Sequence, residues 1–245
     1  MPVILLEASE YKIFAKVYDI LNYDMPYNLW LDIINEVKGD AQSVLDIGAG
    51  TGEILKNLDV KRKLGIDNSE EMVNIARKND PVSEYQVQDM VLMNLGETFE
   101  LITATADVLN YAPSKEAFTA VLKNVYKHLA EDGVFVFDVH TEYKMQNDFN
   151  FELYSDSTDD IFYTWQTIPG EEELSVWHEL TFFIRNSEDL YKKYEETHYQ
   201  QTYKHSEILK MANDAGFIID KSFSDFDITN VITEVAERNF YILKK

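Results

Sequence analysis

Val44-Leu45-Asp46-Ile47-Gly48-Ala49-Gly50-Thr51-Gly52 decides the fold. Ser43 to Ile47 read as a short buried strand, and glycines then follow at alternate positions. Gly48, Gly50 and Gly52 permit a tight turn and a close approach of a ligand to the backbone. Glu53 to Leu58 read as a helix, whose N-terminus favours negative charge. A dinucleotide fingerprint, Gly-x-Gly-x-x-Gly, needs its third glycine at position 53, where Glu53 stands. A carboxylate is badly placed beside a pyrophosphate. No Gly-Lys-Ser/Thr follows, which excludes a Walker phosphate loop. The turn therefore reads as a site for a nucleoside-type ligand without phosphates.

Downstream, strands and helices alternate. Lys63 to Asp67 is a second strand. Asn68 or Ser69 caps a helix running to about Asn79, with Glu70 and Glu71 in its first turn. Tyr85 to Val87 and Phe99 to Ala104 are the third and fourth strands. Ser114 caps a helix to Leu129, and Ala117, Val121, Leu122 and Val125 form its inner face. Gly133 to Asp138 is a fifth strand, apolar enough to be buried on both sides. Alternation of this kind predicts a parallel sheet with right-handed crossovers.

The flanks differ. Between Tyr11 and Val37 the residues Phe14, Val17, Leu21, Leu29, Ile33 and Ile34 recur at near-helical spacing, interrupted at Pro26. After His140, the runs Ile161 to Thr167, Leu174 to Ile184 and Tyr191 to Tyr203 are rich in Thr, Trp, Tyr and Phe. Pro169-Gly170 and Asn186-Ser187 separate them, so they read as antiparallel strands. A helix from Ser206 to Ala215 stops at Gly216, and Phe217 to Phe223 and Phe240 to Leu243 are final strands. The expectation is an α/β, doubly wound chain of one domain. It comprises a helical lid (1–40), a cofactor-binding half (41–140), an inserted β-rich cover (150–203) and a closing helix and strands (204–245).

Three acids stand at the carboxyl ends of consecutive strands, where ligands bind in such sheets. Asp67 follows Asp46 by 21 residues and is placed to accept from both hydroxyls of a ribose. Asp89 follows the third strand. It can take an adenine amino group while Met90 packs on the ring. Asp46 reads either as a ligand or as an acid capping the turn.

Composition narrows the partners. The chain has 245 residues, 22 basic and 44 acidic, for a net charge of −22. Such acidity repels phosphate backbones and anionic membranes unless a basic patch is concentrated somewhere. No nucleic-acid or membrane partner is expected, and oligomeric state is unreadable. There is no cysteine, which removes thiolate nucleophiles, disulfides and Cys-bound metals. No run approaches a membrane span, and Val3-Ile4-Leu5-Leu6 is too short for a signal-peptide core. A cytoplasmic location is expected.

The motifs together resemble the class I S-adenosylmethionine-dependent methyltransferases. Asp46 to Gly52 is similar to that family's first motif and Leu64 to Met72 to its second. Gln88-Asp89-Met90, Phe99 to Ile102 and Leu129 to Phe135 are similar to later ones. The resemblance covers residues 10 to 140 well and the last forty weakly. It implies a Rossmann-like seven-stranded sheet whose last strand is antiparallel, and S-adenosyl-L-methionine as cofactor. It places the glycine turn at the methionine part, Asp67 at the ribose and Asp89 at the adenine amino group, and it adds Asn68 and Met72. Met72, at helical spacing, also reads as core.

In similar small-molecule enzymes an N-terminal helix lids the cofactor. Tyr11, Tyr18 and Trp30 are candidates for that contact, or else core aromatics. The inserted strands resemble the substrate cover of small-molecule N-methyltransferases. Tyr111 and His140 are the candidates for catalytic roles, since both follow strands at the functional edge. His178, His198 and His205 read as ordinary, and no histidine spacing suggests a metal. The acidic runs 156–160 and 171–173 read as solvated loops. The expected acceptor is a small molecule with nitrogen or oxygen, an amine among them. A tRNA or protein methyltransferase, and a cofactor-binding protein without transferase activity, are the alternatives.

Overall fold

The computed structural model describes Tyr18, residues 24–185 and residues 190–245. Tyr11, the run Phe14, Val17 and Leu21, and the Asn186-Ser187 turn lie outside the described residues. Helix α1 (Tyr27–Val37) begins directly after Pro26. Then come β1 (Ser43–Ile47), α2 (Glu53–Lys56), β2 (Arg62–Asp67), α3 (Glu70–Asn79) and β3 (Glu84–Val87). Next are β4 (Phe99–Ala104), a 3-10 turn (Val108–Tyr111), α4 (Lys115–His128) and β5 (Leu129–His140). After α5 (Glu142–Asn147) the chain forms β6 (Leu153–Ser157), β7 (Ile161–Pro169), β8 (Ser175–Arg185) and β9 (Tyr191–Gln201). Helix α6 (His205–Asp214) and strands β10 (Ile218–Ser224) and β11 (Arg238–Lys244) complete it.

Helix starts follow capping chemistry. Ser69 accepts from the backbone N–H of Met72 to open α3, and Ser114 accepts from Ala117 to open α4. Seven strands pair in the order β10-β11-β5-β4-β1-β2-β3. β1 to β5 run parallel, and β11 is antiparallel to both β5 and β10. This is the Rossmann-like sheet with an antiparallel last strand. Strand periodicity sorts the side chains of β5 between its two faces. Phe135, Phe137 and Val139 join the cluster under α4 and α6, with Phe118, Leu122 and Met211. Val136 joins the opposite cluster, with Trp30, Ile34 and Phe240.

β6 to β9 form a second, antiparallel sheet in chain order. Two elements here differ from the sequence reading. Asp156 and Ser157, expected in a loop, belong to β6, and Asp160 ion-pairs with Arg185 at 2.6 Å. All five residues of β6 are exposed, so no alternation of apolar and polar residues announces it. Pairing with the backbone of β7 makes it a strand. Helix α5, unanticipated, is capped by Thr141. The second sheet docks on the carboxyl edge of the first. Asn110 donates to the carbonyl of Gln201 at 2.9 Å, and Thr202 donates to that of His140 at 2.6 Å. No helix among the described residues is long and apolar enough to cross a membrane.

Candidate active site

The glycine turn is built as its sequence demands. Gly48, Gly50 and Gly52 have φ of 67°, 53° and 90°, the left-handed region that side chains disfavour. A Cβ on Gly52 would stand 2.7 Å from the Tyr85 hydroxyl. The turn is tied to the second strand, because Ala49 N–H donates to the carbonyl of Ile66 at 2.9 Å. Glu53 ion-pairs with Lys56 on the same short helix.

The acids follow from the parallel register. Asp46 lies opposite Gly65 and Thr103. It is 2% exposed and accepts from the Thr103 hydroxyl at 2.7 Å. Burial pushes its pKa up to about 7, the Thr103 bond opposes the shift, and nearby Asp67 adds to it. Asp67 is half-buried and takes one backbone N–H on each oxygen, Gly50 at 3.0 Å and Ser69 at 2.9 Å. Burial raises its pKa against those bonds. The Asn68 backbone N–H adds a third donor, and the two oxygens, with about four acceptor sites, keep capacity for a ligand hydroxyl. Asn68 and Asp89 are exposed, and Asp89 accepts from Val91 N–H at 2.7 Å. Met90 is partly buried against the α4 face. Met72 is 6% exposed and sits among the core residues of α3.

Beside the turn lies a buried ionic cluster. Arg238, on β11, bonds Asp138 at the end of β5 and reaches Asp107 after β4 at 3.0 Å. Asp138 also accepts the Trp30 indole N–H at 2.9 Å and the backbone N–H groups of Ala106 and Asp107 at 2.9 and 3.0 Å. Trp30, 2% exposed and edge-on to Phe226, is thereby placed with the core aromatics. Burial disfavours the Asp107 carboxylate. The Arg238 guanidinium, with hydrogen bonds from His140 and Gln200, outweighs this and holds its pKa well below the usual range.

His140 is 5% exposed, with Nε2 at 3.4 Å from Asp107 and Nδ1 without a hydrogen-bond partner among the described residues. Burial lowers its pKa against the pull of Asp107, so the ring is neutral at pH 7. The balancing charge on Asp107 therefore comes from Arg238. Tyr111 is 38% exposed and edge-on to His198. The Tyr18 phenol lies close to Tyr27, Tyr111 and Asp107, and burial first, then these neighbours, push its pKa up. Tyr18, Tyr111, Asp107 and His140 thus converge on one edge of the sheet.

Sequence reasoning missed Asp138, Arg238, Gln200 and His178. Asp138 carried a signal, a lone acid closing an apolar strand as Asp46 and Asp67 do. His178, read as ordinary, is 5% exposed and hydrogen-bonded through both ring nitrogens. Arg238 and Gln200 carry no local signal, because their partners lie far away in the chain. Among the described residues no group of three or more His, Asp or Glu side chains is placed to hold a metal ion.

The geometry agrees with comparisons. A methyltransferase-domain family model matches residues 44–133. Over 241 residues, 96% of this chain and 97% of the relative, the chain is 34% identical to "Putative methyltransferase YqeM" of Bacillus subtilis (strain 168). The fold matches the crystal structure of an S-adenosylmethionine-dependent methyltransferase from Clostridium acetobutylicum ATCC 824 with a TM-score of 0.84. That match has 28% identity and covers 96% of this chain and 98% of that one. A 101-residue stretch, 40% of this chain and 41% of the relative, is 31% identical to a sugar-modifying enzyme of Saccharopolyspora spinosa. That relative is a dTDP-4-amino-2,3,4,6-tetradeoxy-D-glucose N,N-dimethyltransferase. A turn of three left-handed glycines, two of them closed to side chains by Val108 and Tyr85, with Asp67 beside it as an acceptor for hydroxyls, fits the cofactor that such enzymes use. The chain belongs to the class I S-adenosylmethionine-dependent methyltransferases, with S-adenosylmethionine as its cofactor.

Proposed function

We propose that the protein methylates a nitrogen or oxygen of a small molecule, with an amine as the favoured acceptor. One observation carries this reading. The four-stranded sheet is hydrogen-bonded onto the edge where Asp107, Tyr111 and His140 converge, and we read it as a cover that narrows the entrance to that edge. The net charge of −22 favours a neutral or cationic acceptor over nucleic acid. The partial likeness to an amino-sugar N,N-dimethyltransferase supports an amine.

In this reading the turn Gly48, Gly50 and Gly52, with Asp46 beneath it, receives the methionine part. Asp67 and Asn68 meet the ribose side, and Asp89 and Met90 the adenine. Tyr18 meets the methionine end of the cofactor, and Tyr111 lines the acceptor side. When bound, the cofactor supplies a sulfonium methyl for in-line displacement by the acceptor. The chain contributes mainly alignment in a dry pocket, where positioning is worth up to about 7–11 kcal/mol in ideal cases. An ammonium acceptor must first lose a proton. His140, whose buried Nδ1 is unpartnered among the described residues, and the more exposed Tyr111 are the groups we assign as candidates to assist that loss.

The test is transfer of labelled methyl from S-adenosylmethionine to a panel of small amines and alcohols, beside total tRNA and total protein. Transfer to an amine supports the reading, and label confined to tRNA or protein overturns it. Calorimetry with S-adenosylmethionine checks the cofactor site. Unchanged binding by Asp67→Ala would remove the role given to that residue.

A further inference from the structure

Three strands of the second sheet present a chain of hydrogen bonds to the first. The Trp165 indole N–H on β7 donates to His178 Nδ1 on β8 at 2.9 Å. An indole nitrogen only donates, so Nδ1 is the bare nitrogen and Nε2 carries the hydrogen. That Nε2–H donates to Gln200 Oε1 on β9 at 3.0 Å, which turns the Gln200 amide the other way. Gln200 Nε2 then donates to Asp107 Oδ2 at 2.8 Å. Every donor and acceptor in the chain is thereby fixed in direction, and all of them are buried or half-buried.

The chain ends on a strained turn. Ala106 and Asp107 both have φ of 57°, two consecutive left-handed residues without a glycine. Such conformations persist only where the surroundings over-determine them. Here Asp138 takes both backbone N–H groups, Arg238 holds one oxygen of Asp107, and Gln200 holds the other. The next residue, Val108, packs directly over Gly48. Asp67 is held by Gly50, two residues beyond the Val108 contact in the same turn, and by Ser69, which lies outside it.

We propose that Gln200 is a positioning residue for the cofactor: it carries the hydrogen-bond chain of the cover onto Asp107 and fixes the 106–108 turn against the glycine cradle. The proposal rests on the reading that this cradle seats the methionine end. It follows that the cover sheet and the cofactor site are built as one unit. Loss of the chain at Gln200 loosens the methionine end, where Val108 packs over Gly48, more than the nucleoside end, where Ser69 also holds Asp67.

The experiment is calorimetry of Gln200→Leu with two ligands, S-adenosylhomocysteine and 5′-methylthioadenosine, which lacks the methionine carboxylate and amine. The expected result is binding of S-adenosylhomocysteine weakened about tenfold, the scale of one hydrogen bond to a charged group, with 5′-methylthioadenosine changed less than about twofold. Unchanged S-adenosylhomocysteine binding overturns the proposal, and so does an equal loss for both ligands, which marks general damage to the fold. Asp67→Ala separates the two ideas. It is expected to weaken both ligands, and if it weakens neither, the cofactor reading fails whatever Gln200→Leu does. Should Gln200→Leu not fold, Trp165→Phe deletes the far donor and keeps an aromatic side chain. A smaller loss confined to S-adenosylhomocysteine then supports the proposal, and no loss overturns it.

Discussion

Val108 fills the space that a side chain at Gly48 would need: a Cβ built on Gly48 would stand 2.4 Å from Val108 Cγ2. At Gly50, with φ of 53°, nothing lies within 4 Å of the same construction. The two glycines therefore separate conformational strain from steric conflict. Gly50→Ala is expected to cost about 1–2 kcal/mol, the left-handed penalty alone. Gly48→Ala carries that penalty plus the clash and is expected to cost more. Adding Val108→Ala removes the two Cγ contacts, so part of the loss returns, while the Val108 Cβ at 3.1 Å and the strain remain. Denaturant unfolding of the three variants checks the order.

Arg238 is the sole basic residue bonded to both Asp107 and Asp138 among the described residues, and Asp138 is fully buried. Arg238→Met leaves a buried carboxylate without its countercharge. Loss of one partner from such a pair is expected to cost about 3–5 kcal/mol. Trp30→Phe removes one neutral donor of several to Asp138 and is expected to cost about 1–2 kcal/mol. Chemical denaturation reads both. Equal losses would contradict the placement of Arg238 as the charge balance.

The cofactor half was legible because its signals are local. The glycine turn, the acids at the carboxyl ends of β1, β2 and β3, and the caps Ser69 and Ser114 are all read within a few residues. The cover was legible as strands from its Thr, Trp, Tyr and Phe content, except β6, whose residues face solvent on both sides. The cluster around Asp107 was not legible. Its bonds join residues 31 to 131 positions apart, as in Asp107 to Asp138 and Asp107 to Arg238, and only tertiary packing decides them. His178 shows the same limit. Its two partners sit on neighbouring strands, at Trp165 and Gln200, and the sequence does not fix that register.

Asp46 gives the fold a pH dependence of unusual sign for a carboxyl group. Its pKa is about 7 in the fold because burial disfavours the charged form, against an ordinary value of 3.8 when unfolded. Between these values the folded state holds a proton that the unfolded state has lost. Its contribution to stability therefore falls as pH rises from about 4 to 7 and is level above, a change on the order of 4 kcal/mol. Asp46→Asn keeps an oxygen to accept from Thr103 and cannot ionise. The variant is expected to be more stable than wild type at pH 8 and to lose the difference near pH 4. Urea unfolding of the ligand-free proteins at pH 4.5, 6 and 8 checks it, and a pH-independent difference would refute it.

His178 works in the opposite sense. Burial holds its pKa down at about 4, below the ordinary 6.5, against the upward pull of the Gln200 bond; His140 and His198 also lower it, while Asp107 raises it. The unfolded chain takes up the proton first as pH falls, so the stability from neutral His178 is present above pH 6.5 and is lost between 6.5 and about 4. The loss is about 3 kcal/mol. Protonation would also place a hydrogen on Nδ1, which now accepts from Trp165. His178→Asn retains an acceptor and a donor but has no proton to gain. It is expected to start less stable than wild type at pH 7.5, through poorer packing against Phe149, and to lose less on acidification. Parallel unfolding series from pH 7.5 to 4.5, run in a His140→Gln background because His140 couples to His178, decide the matter; His205, whose pKa burial also lowers, titrates in both proteins and cancels in the difference. Curves that stay parallel over that range would show that His178 is not the residue that senses acid.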